Sequence, residues 1–337
     1  MNNKIIALTD VDLIYYFTKR TVDDAYLLIY NGNLHLFVDL RYYEAVKSDK
    51  MLNVHLMNVS DDFFNFLKSL NVTEIGLVYK YSTAKFLSDL LSLGYKPFDA
   101  SSLIFEKTAV KTESEISLIK KACQIAEKSF LEVLPMLKAG VTESEIQREL
   151  EYLLRKNGAE DKAFDSIVAF GKGSSIPHYK TGNVKLELNM PVLFDFGCKY
   201  KGYLSDMSRS FYFGTPPKKY VEAFNAVKTA QKLAINQIKS GITGKQADEI
   251  ARNYLKTLNL DTYFTHSLGH GIGVKIHEEP MLSVRSEQIL QDNNVFSVEP
   301  GVYFEGEFGI RIEDTVVIKN GKCRTLMKTK IECNILN

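Results

Sequence analysis

The amino-acid sequence predicts an α+β protein in two parts. A smaller N-terminal α/β domain covers residues 1–108, and residues 109–337 hold a duplicated helix–helix–strands unit. The strands of that unit are expected to merge into one curved antiparallel sheet about a pseudo-twofold, with the helices packed outside. Three observations carry this prediction. Short apolar segments alternate with helical ones up to about Phe105, the pattern of an α/β layer. Beyond them, two long stretches align with each other at an offset of 101 residues, Ala122 falling on Ala223. Acidic residues then stand inside β-hydrophobic runs at matching places in both copies.

In the first part, Ala25–Tyr30 is rich in strand formers, Asn31-Gly32-Asn33 reads as a hairpin turn, and Leu34–Asp39 returns. Glu74–Tyr79 is a further buried strand, while Asp61–Leu70 and Ser82–Leu93 read as helices, the latter stopped by Gly94. The linker is expected at about 107–112, where Lys107–Lys111 lacks sustained periodicity. Thr112-Glu-Ser-Glu115 then fits a capping box and opens a long helix, with Ile116, Ile119, Cys123, Ala126 and Phe130 down one face.

The repeat organises the second part. In each copy a long helix is expected to end at a C′ glycine, Gly140 or Gly241, and Thr142 or Thr243 to cap a second amphipathic helix. Phe164–Gly171 then matches Phe264–Gly271, and Val192–Asp195 matches Phe296–Glu299. The repeat therefore puts Asp195 and Asp206 in one half and Glu299 and Glu313 in the other. A carboxylate inside an apolar run is costly to bury unless paired, hydrogen-bonded or metal-bound. One such residue reads as an ion pair; four, two per half, favour convergence on a divalent-metal centre. Strand parity leaves open whether Asp206 and Glu313 face that centre or solvent.

Four of the six histidines fall at His178, His266, His270 and His277. Gly269, Gly271 and Gly273 are threaded around His270 in the run from Thr265, which argues against a helix and predicts a tight loop with backbone close to a site. Arg311 and Glu313 alternate with period 2, so they are expected on one face, where the arginine can hold a carboxylate. Gly171-Lys-Gly-Ser-Ser175 lacks phosphate-loop spacing, Gly269–Gly273 is no dinucleotide fingerprint, and no Gly-x-Ser-x-Gly elbow occurs.

Composition narrows the class further. Lys and Arg number 42 against 41 Asp and Glu, a net charge of +1, so there is no electrostatic footprint for nucleic acid or an anionic membrane. The four cysteines, Cys123, Cys198, Cys323 and Cys333, are too sparse for a disulfide-stapled secreted fold. With no signal-like start and no long apolar run, the expectation is a soluble, cytoplasmic protein.

Taken together, these residues resemble the pita-bread metallopeptidases: Xaa-Pro dipeptidases (prolidases), aminopeptidase P and methionine aminopeptidases. The family's two aspartates, histidine and two glutamates match Asp195 and Asp206, His270 in Gly269-His-Gly271, Glu299 in Val298-Glu-Pro-Gly301, and Glu313 in Arg311-Ile-Glu-Asp314. The proline-specific branch is similar at Pro177-His178-Tyr179, at His266, at His277-Glu-Glu-Pro280 and at Arg311, and its N-terminal domain resembles the stretch around Asp39-Leu-Arg41-Tyr42. Gly171–Ser175 and Thr181-Gly182 depart from the usual pattern without removing a ligand.

The resemblance implies two divalent ions held by the five ligands, Mn²⁺ or Co²⁺ ahead of Zn²⁺ or Fe²⁺ given four carboxylates and one imidazole. It also implies Asp195 on one metal, Asp206 and Glu313 bridging, and His270 and Glu299 on the other. Glu299 would act as acid–base, His277 and His178 as catalytic histidines, and His178, His266, His277 and Arg311 as the substrate site. The implied function is hydrolysis of the Xaa-Pro bond in a proline-containing peptide by a homodimer, most simply as a dipeptidase. The alternatives are aminopeptidase P on longer peptides and a non-catalytic binding protein.

Overall fold

A computed structural model describes residues 5–59, 61–330 and 332–336. The chain divides into two units, Met1–Thr108 and Ala109–Asn337.

In the first unit the elements run β1 (Ile6–Leu8), α1 (Val11–Thr18), β2 (Tyr26–Tyr30), β3 (Asn33–Val38), α2 (Leu40–Val46), β4 (Asn53–Leu56), α3 (Asp61–Ser69), β5 (Glu74–Leu77), α4 (Ala84–Ser92), β6 (Lys96–Asp99) and α5 (Ser101–Ala109). The strands form one sheet in the order β4-β3-β2-β1-β5-β6. Its β2–β3 hairpin turns on Asn31 (φ 48°) and Gly32 (φ 79°), two left-handed residues whose twist matches the strands. Apolar clusters cover both faces, with Leu27, Leu36 and Ile104 on one and Phe37, Phe63 and Leu77 on the other. The expected linker is shorter than its sequence suggests. Lys107–Ala109 is the last turn of α5, because Thr108 and Ala109 bury while Glu106, Lys107 and Thr108 give no apolar period to read.

Across β3 and β4, His35 Nδ1 and His55 Nε2 lie 3.1 Å apart, with Phe37 stacked 4.4 Å from the His55 ring. Burial lowers the pKa of both imidazoles, and for His55 the neighbouring His35 adds to it. Because the folded values lie below the unfolded value of about 6.5, the unfolded chain binds protons more readily as pH falls, and stability is lost below that point. The melting temperature is therefore expected to fall between about pH 7.5 and pH 5.5, and to fall less in His55→Phe. Equal losses in the two proteins would refute this account of the pair.

The second unit runs α6 (Glu113–Val133), α7 (Glu143–Lys156), β7 (Asp161–Lys162), β8 (Ile167–Phe170), β9 (Met190–Phe196), β10 (Cys198–Tyr200), β11 (Tyr203–Leu204), β12 (Met207–Phe213), α8 (Lys218–Gln237), α9 (Gly244–Thr257), β13 (Gly269–Gly271), β14 (Glu278–Leu282), β15 (Val295–Val298), β16 (Gly301–Phe304), β17 (Phe308–Arg311), β18 (Glu313–Lys319), β19 (Lys322–Thr325) and β20 (Asn334–Leu336). The capping box at Thr112 is present, and the five apolar residues expected on one face of α6 are all buried. Thr142 and Thr243 form capping boxes on α7 and α9.

The duplication is legible in the backbone. The main sheet runs β14-β13-β15-β18-β12-β9-β8, so reading outward from its centre β18, β15, β13 mirrors β12, β9, β8. Gly140 N–H donates to Leu186 and Gly241 N–H to Leu290, and both glycines have φ 93°. They are not C′ residues, however. The long helices stop earlier, at Val133 and Gln237, and the glycines make the left-handed turn just before each N-cap. At the centre β12 and β18 pair only through Met207↔Asp314 and Ser208↔Glu313. The acids gather at that short junction.

Candidate metal centre

Three strands put side chains in one row. Ser208 on β12 is paired on one side with Asp195 on β9 and on the other with Glu313 on β18, so all three point to one face. Asp206, two residues before Ser208, shares that face just ahead of β12, and Glu299 stands one residue beyond β15. Parity thus turns Asp206 and Glu313 inward. They are 4% and 1% exposed, which settles the question that the sequence left open.

His270 joins them from β13. The glycines around it do not make the expected loop. Gly269 and Gly271 are strand residues, and what they share with a loop is close backbone approach: a Cβ at Gly269 would meet the Ser297 carbonyl at 1.9 Å, and one at Gly271 the Glu279 carbonyl at 2.2 Å. His270 Nδ1 faces the Gly271 carbonyl at 3.2 Å, so that nitrogen carries the hydrogen. Nε2 is left toward Glu299 Oε1 at 3.3 Å and Asp206 Oδ2 at 3.6 Å. A backbone carbonyl that fixes the tautomer and leaves the other nitrogen toward carboxylates is a usual arrangement of a metal-binding histidine.

The donor atoms of Asp206, His270 and Glu313 lie within 4.8 Å of one another. Asp195 Oδ1, Asp206 Oδ1 and Glu313 Oε1 are buried without a hydrogen-bond partner. Burial pushes the Asp206 carboxyl well above its ordinary range, and the charges of Glu313 and Asp195 push it further. Glu313 is raised in the same way, by burial first and then by Glu299 and Asp195. Glu299 goes the other way: burial opposes ionisation, but the hydrogen bond and charge of His270 outweigh it and hold the carboxyl at about 2. Crowded, orphaned carboxylate oxygens beside one imidazole are a donor set that a hard or borderline divalent cation fits, since its charge removes the repulsion.

A second layer holds the acids. Arg311, 3% exposed, donates to Asp195 Oδ2 at 2.6 Å, Ser208 Oγ at 2.9 Å, Tyr303 Oη at 2.8 Å and the Pro177 carbonyl at 3.2 Å. Ser208 Oγ in turn donates to Glu313 Oε2 at 2.6 Å, which makes it the bridge between arginine and acid. Arg311 and Glu313 therefore meet at Ser208, although they lie on successive strands, β17 and β18, and not along one strand as their period suggests. Tyr303 Oη meets His266 Nε2 at 2.9 Å, and His266 Nδ1 the Ser267 carbonyl at 2.8 Å. That carbonyl can only accept, so Tyr303 donates to Nε2 of a neutral ring. Burial, which lowers the His266 pKa and raises the Tyr303 phenol to about 12, favours both states.

The remaining histidines are more open. The His277 ring lies 4.3 Å from that of His270, edge to face, and is exposed. His178 is exposed on the segment after Ser175, and its neighbour Pro177 is bonded to Arg311. Sequence reasoning passed over Ser208 and Tyr303. The signals were parity and register: Ser208 is two residues from Asp206, and Tyr303 is two from Gly301, which lies opposite Arg311. Gly301 leaves the space, since a Cβ there would come within 2.6 Å of Tyr303 Oη.

The comparisons agree with this geometry. A model of metallopeptidase family M24 matches residues 117–320. The chain is 34% identical over 321 residues to the Xaa-Pro dipeptidase of Pyrococcus furiosus, covering 95% of this chain and 92% of that protein. Among solved structures, the prolidase from Pyrococcus furiosus has a TM-score of 0.92 at 32% identity, covering 97% of each chain. The X-Pro aminopeptidase from Thermotoga maritima has a TM-score of 0.92 at 33% identity, covering 99% of this chain and 96% of that chain. Fold and site thus define a pita-bread metallopeptidase, a hydrolase. The chain belongs to metallopeptidase family M24.

Proposed function

We propose that the protein is an Xaa-Pro dipeptidase in which residues 109–337 form the catalytic domain and residues 1–108 a creatinase/prolidase-like domain. The observation that carries this reading is the likeness, over 95% of the chain, to a protein named Xaa-Pro dipeptidase. The acids, the imidazole and the proline-branch histidines that the reading requires are all in the chain. Asp195, Asp206, His270, Glu299 and Glu313 would hold two divalent ions, Mn²⁺ or Co²⁺ ahead of Zn²⁺ or Fe²⁺. When bound, the ions supply Lewis-acid polarisation of the peptide carbonyl and a nucleophile at neutral pH.

The chain's own residues do the rest. Glu299, an ionised carboxylate beside His270, takes a proton from the attacking water and returns it to the departing proline nitrogen. His277 donates a hydrogen bond to the carbonyl oxygen as negative charge develops there. Arg311 fixes Asp195 and, through Tyr303, keeps His266 neutral toward the proline side of the pocket, which His178 also lines. Proline suits a closed pocket because an X–Pro bond has no N–H to pair in an extended groove. The working form is a cytoplasmic homodimer acting on proline-containing peptides.

A second reading, aminopeptidase P on longer peptides, has one specific observation in its favour, the likeness to the Thermotoga maritima X-Pro aminopeptidase. The two are separated by comparing an Xaa-Pro dipeptide with an Xaa-Pro-Xaa tripeptide after chelation and return of Mn²⁺ or Co²⁺. Dipeptide turnover restored by metal is the expected result. Dominant tripeptide turnover moves the assignment to aminopeptidase P, and turnover of neither peptide with any metal refutes both.

A further inference from the structure

Glu143 is a carboxylate outside the metal centre with no access to solvent, 0% exposed at the first residue of α7. Burying an ionisable group in this way is costly unless its oxygens are satisfied. Its partners are three neutral donors: Oε1 accepts the Phe170 N–H at 2.7 Å, and Oε2 accepts the Tyr179 O–H and the Gly182 N–H, each at 3.0 Å. These donors bracket one segment. Phe170 is the last residue of β8, Gly182 lies twelve residues later, and Pro177-His178 is carried between them. One carboxylate thus ties both ends of the segment to the start of a rigid helix. Ser144 reinforces the far end, its N–H donating to the Gly182 carbonyl at 2.9 Å.

The duplication supplies an internal comparison. Thr142 caps α7 and Thr243 caps α9, so the counterpart of Glu143 is Gly244. There a Cβ would meet the Met281 carbonyl at 2.1 Å and Ser286 Oγ at 2.6 Å. Backbone packs against the helix start in that half, whereas a side chain fills the gap in the first half. In that half β13, the mirror of β8, is followed by the segment that carries His277, and a buried Lys111–Glu278 ion pair adjoins it. The two halves thus support the histidine-bearing segments after β8 and β13 by different means.

We infer that Glu143 is a positioning residue for substrate recognition: by gathering Phe170, Tyr179 and Gly182 it sets where His178 stands, next to the Pro177 carbonyl that Arg311 holds. The imidazole of His178 is itself exposed, so its place is set by the backbone that Glu143 organises, together with the bond from Arg311 to the Pro177 carbonyl. A hydrogen-bonded support of this kind fixes a binding group to within fractions of an ångström. The inference rests on the reading of His178 as part of the substrate site.

A double-variant cycle on the Mn²⁺-loaded protein tests it, with kcat and KM measured separately for an Xaa-Pro dipeptide. Glu143→Gln keeps the size but puts an amide donor against two donors. It is expected to lower kcat/KM about 10-fold, chiefly through KM, with Mn²⁺ stoichiometry unchanged. Once His178→Ala has taken its own loss, adding Glu143→Gln should cost less than about 2-fold more, because one acts through the other. If the two losses multiply, or if Mn²⁺ stoichiometry falls with Glu143→Gln, the positioning role is overturned while the substrate site stands. If His178→Ala leaves kcat/KM unchanged, the reading of His178 fails and the inference with it. Should Glu143→Gln not fold, Tyr179→Phe removes one of the three bonds and runs through the same cycle with the same criteria.

Discussion

Asp206→Asn is expected to lower metal-dependent turnover about 10³-fold and at the same time to raise the melting temperature of the metal-free protein. The two effects share one cause. Asp206 is 4% exposed, its Oδ1 has no hydrogen-bond partner, and burial together with Glu313 and Asp195 drives its pKa up. A folded value above the unfolded one means that the metal-free protein loses stability as pH rises from the unfolded value of about 3.9 through the higher folded one. Asparagine has the same shape without the charge, so it removes that loss at neutral pH. Removing the buried charge, with the desolvation penalty it carries, is worth about 1–3 kcal/mol, and each kcal/mol moves the melting point of a unit this size by about 2–4 °C. The charge is tolerated because a cation in the proposed centre neutralises it. Without that carboxylate, the several kcal/mol of Lewis-acid stabilisation is lost, about 10³-fold in rate. Melting scans with chelator and then with Mn²⁺ check both halves: wild type gains stability with metal and Asp206→Asn gains none. A metal-dependent gain equal to wild type would remove Asp206 from the centre.

Much of this site was legible in the sequence because duplication makes chemistry repeat. A single acid in Val192–Phe196 says little, but its echo in Val295–Glu299 gives each reading a partner. The capping threonines were legible for a local reason, since Thr112, Thr142 and Thr243 each bond to a residue three positions on. What stayed hidden depended on pairing between strands far apart in the chain. Ser208 becomes a bridge only because β12 lies between β9 and β18, and no local period announces that order. The same limit explains the misreading of the glycines around His270. Three glycines in five residues signal close backbone approach, which occurs, but the cause is the backbone of Ser297 and Glu279 packed against a strand. Gly140 and Gly241 were legible as left-handed residues, yet the sequence could not say that each helix frays into a turn before reaching them.

The arginine joins the acids to the proposed substrate side, and its removal is expected to be the most damaging substitution outside the proposed ligand set. The Arg311 side chain makes four hydrogen bonds: to an acid, a hydroxyl that bridges to a second acid, a phenol that orients His266, and the carbonyl next to His178. Arg311→Met leaves Asp195 buried and unpaired, a loss of about 3–5 kcal/mol. It also frees the carboxylates of the proposed centre, and for supports of metal-ligating carboxylates about 10- to 100-fold in metal affinity or activity is the usual cost. Arg311→Lys should recover little of either, since an ammonium on a flexible stem cannot span four partners that a planar guanidinium reaches. Stability and function separate in the double variant Asp195→Asn/Arg311→Met. With no charge left unpaired, its melting temperature should return most of the way to that of wild type, while turnover stays as low as in the single variants. If Arg311→Lys instead restores turnover, charge alone is what the site requires, and the fork geometry that links Asp195, Ser208 and Tyr303 has no part in the chemistry.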